Sequence, residues 1–184
     1  MKYAVLFKGI NIGGKNIVKM NDLKQLLLEL GLSKVKTYIQ SGNAVFETAI
    51  DEETLNDMIY SGFAERFGFK SNAIIRSIDE IRALIDLLPF STEEINAAEV
   101  ADPQVEHLYV YFLDNSPEQS QIDAICKGYL GPDVLRTGKR EVYLLLHQSI
   151  RKAKLAVHIA KTFDSATSRN WKTVNKFYDM LTNL

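Results

Sequence analysis

The tightest constraint on this chain is a short turn, Gln40-Ser41-Gly42-Asn43, set between residues 35–39 and 44–46, two runs that read as strands. Strands joined by so few residues must lie antiparallel, because a parallel pair needs a crossover of a dozen residues or more. The hairpin therefore spans residues 35–47. What flanks it completes a unit. Tyr3 to Phe7 alternates as a strand, and Leu23, Leu26, Leu27 and Leu30 recur at helical spacing, with Asn21 and Asp22 as start signals and Gly31 as a stop. Residues 51–67 read as a helix with Leu55, Met58, Ile59 and Phe63 along one side and Gly68 closing it, and residues 72–77 as a short strand. The order β-α-β-β-α-β is the ferredoxin-like unit.

After one more helix and a linker, the second half repeats most of this order. A short helix carrying Ile81, Leu84, Ile85 and Leu88 has Ser77 as its cap and Pro89 as its terminator. Residues 89–104 are acidic and poor in pattern, and read as a linker. Then come a strand at 107–113, a helix at 117–127, strands at 134–136 and 141–147, a helix at 149–161, a polar turn at 162–169 and a last helix at 170–181. The expected fold class is α+β: two ferredoxin-like subdomains with antiparallel sheets, over residues 1–88 and 105–184. The second copy is degenerate and inferred from element order alone, since the halves share no convincing identity.

Composition narrows the class. Of 184 residues, 46% are hydrophobic and 24% charged, which excludes disorder and coiled-coil repeats. The single cysteine, Cys126, excludes an intramolecular disulfide framework and a Cys-rich zinc site, and reads as a small buried residue. His107, His147 and His158 lack metal-ligand spacing, and no serine sits in a G-x-S-x-G context. No metal or cofactor is expected. The apolar start is too short for a secretory signal, and no run approaches the length of a membrane span. The expectation is a cytoplasmic protein without a membrane partner.

Net charge, −1, conceals a pattern. Residues 1–46 hold seven Lys against Asp22 and Glu29; residues 47–126 hold four Lys/Arg against 17 acids; residues 127–184 hold eleven Lys/Arg against four acids. Two basic ends flank an acidic middle, which suits an anion-facing surface or merely balances in the folded state.

The basic start contains a glycine-rich stretch, Gly9-Ile10-Asn11-Ile12-Gly13-Gly14-Lys15-Asn16. It matches G-x-x-x-x-G-K and fails at the last position, where a phosphate-binding loop needs a hydroxyl for Mg²⁺ and Asn16 supplies none. Helix signals also begin near Asn21 rather than at the lysine, and the hairpin implies an antiparallel sheet. Nucleotide hydrolysis is therefore disfavoured. Two readings of the stretch stay open: an anion site built from N–H groups near Gly13 and Gly14 with Lys8, Lys15 and Lys19, or a connection whose glycines supply positive φ. In a ferredoxin-like unit the first two strands run the same way, so their ends share one sheet edge. That places residues 9–16 beside Tyr38-Ile39-Gln40-Ser41-Gly42-Asn43 and predicts one ligand edge.

Three segments, Lys8 to Asn16, Thr37 to Asn43 and Ser168-Arg169-Asn170-Trp171-Lys172-Thr173, resemble the signatures of the bacterial family called domain of unknown function 1697. The resemblance spans nearly the whole chain and implies two ferredoxin-like subdomains, but no activity. Lys8 stands where Arg is frequent in the family, which keeps the charge and loses a bidentate contact. Near the end, Thr167 or Ser168 reads as the cap of the last helix, with Arg169, Asn170 and Thr173 in a first turn suited to anions. The competing reading makes Arg169 a structural donor beside a buried stripe.

The candidate ligand residues are thus Lys8, Gly9, Asn11, Gly13, Gly14, Lys15, Asn16, Tyr38, Gln40, Ser41, Asn43, Arg169 and Asn170. The leading expectation is a non-enzymatic binding module for a phosphate-bearing anion, a nucleotide or a nucleic acid. The alternatives are an enzyme on a small phosphorylated metabolite, with Lys15 and Arg169 as electrophiles, and a protein that docks a partner at a sheet edge.

Overall fold

A computed structural model describes residues 1–184. The fold is α+β with two four-stranded antiparallel sheets. One compact unit comprises Met1–Ala83 with Lys176–Leu184, the other Leu84–Asn175. No helix is long and apolar enough to cross a membrane.

The first unit runs β1 (Lys2–Phe7), α1 (Met20–Glu29), β2 (Ser33–Tyr38), β3 (Asn43–Glu47), α2 (Glu52–Phe67) and β4 (Ala73–Ser77). Its sheet order is β2-β3-β1-β4, the ferredoxin-like arrangement. β1 is central: Val5 faces Ala44 of β3 on one side and Ile75 of β4 on the other. Tyr3, Val5 and Phe7, two residues apart and so on one face, join Leu23, Leu27, Phe46, Leu55 and Phe63 in the core. The Phe7 and Phe63 rings stack at 4.9 Å between centroids. α2 starts where Asp51 accepts from the Thr54 N–H at 3.0 Å, and stops at Gly68, whose φ of 73° only glycine adopts readily.

The second unit holds α4 (Thr92–Ala101), β5 (Leu108–Phe112), α5 (Gln119–Cys126), β6 (Val134–Thr137), β7 (Glu141–Leu145), α6 (Lys154–Thr162) and β8 (Thr167–Asn170). The helices α3 (Ile78–Leu87) and α7 (Trp171–Thr182) complete the chain. As expected, Ser77 caps α3, accepting from the Glu80 N–H at 3.3 Å.

Five sequence expectations need correction. The stretch read as a polar turn at 162–169 contains most of β8, which pairs antiparallel with β5, Val110 opposite Arg169. The second sheet, β6-β7-β5-β8, therefore has the same order as the first, and the copy is complete rather than degenerate. The segment read as a linker holds α4, opened by a capping box in which Ser91 and Glu94 satisfy each other's backbone N–H. The cap of α7 is Asn170, whose Oδ1 accepts from the Thr173 N–H at 3.0 Å, not Thr167 or Ser168. Cys126 is exposed; its neighbour Ile125 takes the inward position at the end of α5.

Candidate functional site

The glycine-rich stretch is a small β-hairpin. Ile12 and Lys15 bridge, the Lys15 N–H donates to Ile12 O at 3.0 Å, and the Asn11 N–H donates to Asn16 O at 3.0 Å. Gly13 and Gly14 are its two central residues, with φ of 58° and 75°. Positive φ at both positions is what a type I′ turn demands, so the glycine pair is required by the backbone itself. α1 begins only at Met20, five residues after Lys15, so this is not a phosphate-binding loop running into a helix. Residues 12–17 are all exposed, and the N–H groups of Gly13 and Gly14 have no acceptor within the chain.

Asn11 joins this hairpin to the turn after β2. Its Nδ2 donates to Gln40 O at 2.8 Å and to Val18 O at 2.9 Å, while its Oδ1 accepts from the Val18 N–H at 2.8 Å. The two segments are braced from below as well. The Phe7 N–H donates to Gly42 O at 2.8 Å, and a Cβ on Gly42 would lie 2.5 Å from Ile10 Cδ1. Residues 9–16 and 40–43 therefore meet.

The candidates divide by what their side chains already do. Asn11 uses both amide atoms in the brace. Asn16 Nδ2 donates to Gly9 O at 3.1 Å. Asn43 is fully buried and donates to Ser41 Oγ at 2.8 Å. These three hold the edge in shape. The ammonium groups of Lys8, Lys15 and Lys19 have neither a hydrogen bond nor an ion pair. Lys8 is half-buried and anchored through its backbone: its carbonyl accepts from Ser71 Oγ and its N–H donates to Asn72 O, each at 2.8 Å. The Gln40 side chain is exposed, while Tyr38 and Ser41 are half-buried. Sequence reasoning overlooked the apolar side chains on the same edge: Ile12, Ile17 and Ile39 are 66%, 64% and 50% exposed. The signal was legible for Ile12 and Ile17, which stand in a polar, glycine-rich stretch outside any strand or helix pattern.

Arg169 and Asn170 lie in the second unit. The Arg169 guanidinium is buried and donates to Thr167 Oγ1 at 2.7 Å and Ser168 O at 2.8 Å; burial pulls it down to about 10. Asn170 is occupied as the α7 cap. Both have structural work within the chain.

The family described as "Protein of unknown function (DUF1697)" matches residues 1–143. The chain belongs to this family. Among solved structures, a conserved bacterial protein from Streptococcus pneumoniae is similar at 28% identity with a TM-score of 0.76, over 98% of each chain. A search of curated proteins finds no match. The family signatures quoted above, around residues 8–16 and 37–43, are the segments that Asn11 ties together.

Proposed function

We propose that the edge formed by residues 8–19 and 38–43 binds a phosphate-bearing anion and that the protein acts there by binding rather than by chemistry. The observation that carries this reading is the Asn11 brace, which locks the segment carrying three unpaired lysines, Lys8, Lys15 and Lys19, against the turn at 40–43. A braced backbone presents Lys8, Lys15 and Lys19 with little ordering left to do on binding, and the free N–H groups of the turn add neutral donors. The exposure of residues 12–17 favours an extended polyanion such as a nucleic-acid backbone over an enclosed mononucleotide. The enzyme reading gains no support, because Arg169, one of its two electrophiles, is buried and already hydrogen-bonded.

The test is fluorescence anisotropy with a labelled short single-stranded RNA across a salt series, comparing the wild type with the triple variant Lys8→Gln, Lys15→Gln, Lys19→Gln. The wild type should lose affinity as salt rises. The slope of log K against log salt should fall by about 0.7 per lysine removed. A salt-insensitive affinity, or an unchanged slope in the triple variant, contradicts the proposal.

A further inference from the structure

The second unit contains a cavity of about 580 Å³ between α4, the start of β5 and the start of α7. Small-molecule sites run from about 300 to 1,000 Å³. Its apolar lining includes Ile95, Leu108 and Trp171, the only tryptophan in the chain. Glu99, Glu106 and Lys172 also line it, and none of the three has a hydrogen bond or an ion pair within the chain. Ile95 and Glu99 lie four residues apart on α4 and so share one face of that helix.

One wall is held by a buried histidine. His107 Nδ1 lies 2.6 Å from Leu146 O and Nε2 lies 3.0 Å from Asp102 O, so the ring spans from the end of β7 to the turn that follows α4. The His107 carbonyl also accepts from the Leu146 N–H at 2.9 Å. The loop carrying Glu106 is thereby fixed before any ligand arrives.

Two carboxylates against one ammonium leave the lining with one net negative charge, which a monocation neutralises. An indole and aliphatic side chains beside carboxylates match an ammonium group attached to an apolar body. An inorganic cation would leave the apolar surface unused. A neutral apolar molecule would strip water from Glu99 and Glu106 without replacing it.

We propose that this cavity binds a small organic ammonium ion, its charge against Glu99 and Glu106 and its apolar body against Trp171 and Leu108. This site is independent of the loop edge in the first unit. Because Trp171 has no competitor, its fluorescence reports on the cavity directly. Phenethylammonium, titrated against a matched sodium chloride series, should change that fluorescence saturably, and hydrocinnamate, the carboxylate of similar shape, should not. The double variant Glu99→Gln, Glu106→Gln should weaken phenethylammonium at least about tenfold. Both glutamates are exposed, so the variant keeps its fold, which circular dichroism checks. An unsaturable response, an equal response to hydrocinnamate, or unchanged affinity in the folded double variant would overturn the proposal.

Discussion

Gly42 and Gly13 both have positive φ, 73° and 58°, yet they should respond differently to substitution. A side chain at Gly13 meets nothing within 4 Å, whereas one at Gly42 runs into Ile10 at 2.5 Å and Phe7 Cβ at 3.0 Å. Gly13→Ala should therefore cost only the backbone strain, about 1 kcal/mol. Gly42→Ala adds overpacking and should cost about 1–3 kcal/mol more. Urea unfolding of both variants checks this, and equal costs would contradict the packing seen between Gly42 and Ile10. Asn11 makes a sharper case. Asn11→Ala leaves the Val18 N–H without its acceptor and should cost about 1–3 kcal/mol. Asn11→Asp keeps Oδ1 but turns a carboxylate oxygen toward the carbonyls of Val18 and Gln40, so at neutral pH it should be at least as destabilising. A milder effect for Asp than for Ala in the same unfolding assay would show that the two donated bonds contribute nothing.

Among the elements, α4 is tied to its sheet by a charged pair. Glu94 takes two bonds from Arg136 of β6, at 2.6 and 2.8 Å, as well as one from the Ser91 N–H at 2.8 Å. The Arg136 guanidinium also lies 4.9 Å from the Phe90 ring centroid. The Arg136 bond, then the Ser91 N–H, hold the Glu94 carboxyl down at about 2. Its folded value is depressed, so its contribution is present above the ordinary carboxylate range and is lost as pH falls toward about 2. Melting temperatures measured between about pH 5 and pH 2 should fall more steeply for the wild type than for Glu94→Gln. Parallel curves would mean that the pair does not stabilise the fold.

This helix also shows where the sequence is legible and where it is not. α4 buries only Ala98, so it carries no apolar stripe to betray it; the signal that was available is the Ser91-x-x-Glu94 capping box. β8 is hidden in the sequence for a related reason. Its buried positions are Thr167 and Arg169, polar residues where alternation leads one to look for apolar ones. β1, α1, the β2–β3 hairpin and α2 are legible, because Tyr3, Val5, Phe7, Leu23, Leu27, Leu55 and Phe63 form one core and repeat at strand or helix period. The meeting of residues 9–16 with 40–43 followed from topology alone. The hairpin at 11–16 did not, since its arms are too short to alternate and Asn11 and Asn16 both have positive φ. That glycines 13 and 14 serve a turn could be read from the pair itself; that Asn11 clamps Gln40 and Val18 could not, because nothing local in the sequence encodes a contact 29 residues away.

Across the molecule, the charge blocks seen along the chain do not separate by unit. The first unit carries twelve Lys/Arg against eleven acids and the second ten against twelve, so each is nearly neutral. The asymmetry survives inside the first unit. The segment that includes the loop edge is basic, while Asp51, Glu52, Glu53, Asp57 and Glu65 cluster at and along α2. Such a unit attracts a polyanion through local potential rather than net charge, and its association with RNA should weaken with salt although the whole chain carries −1. The most direct test of the account is an amide ¹H–¹⁵N titration of the intact protein with a short single-stranded RNA. Shifts should concentrate at Gly13, Gly14, Lys15, Gln40 and Ser41. Shifts confined to other parts of the chain, or none at a concentration where anisotropy detects binding, would contradict it.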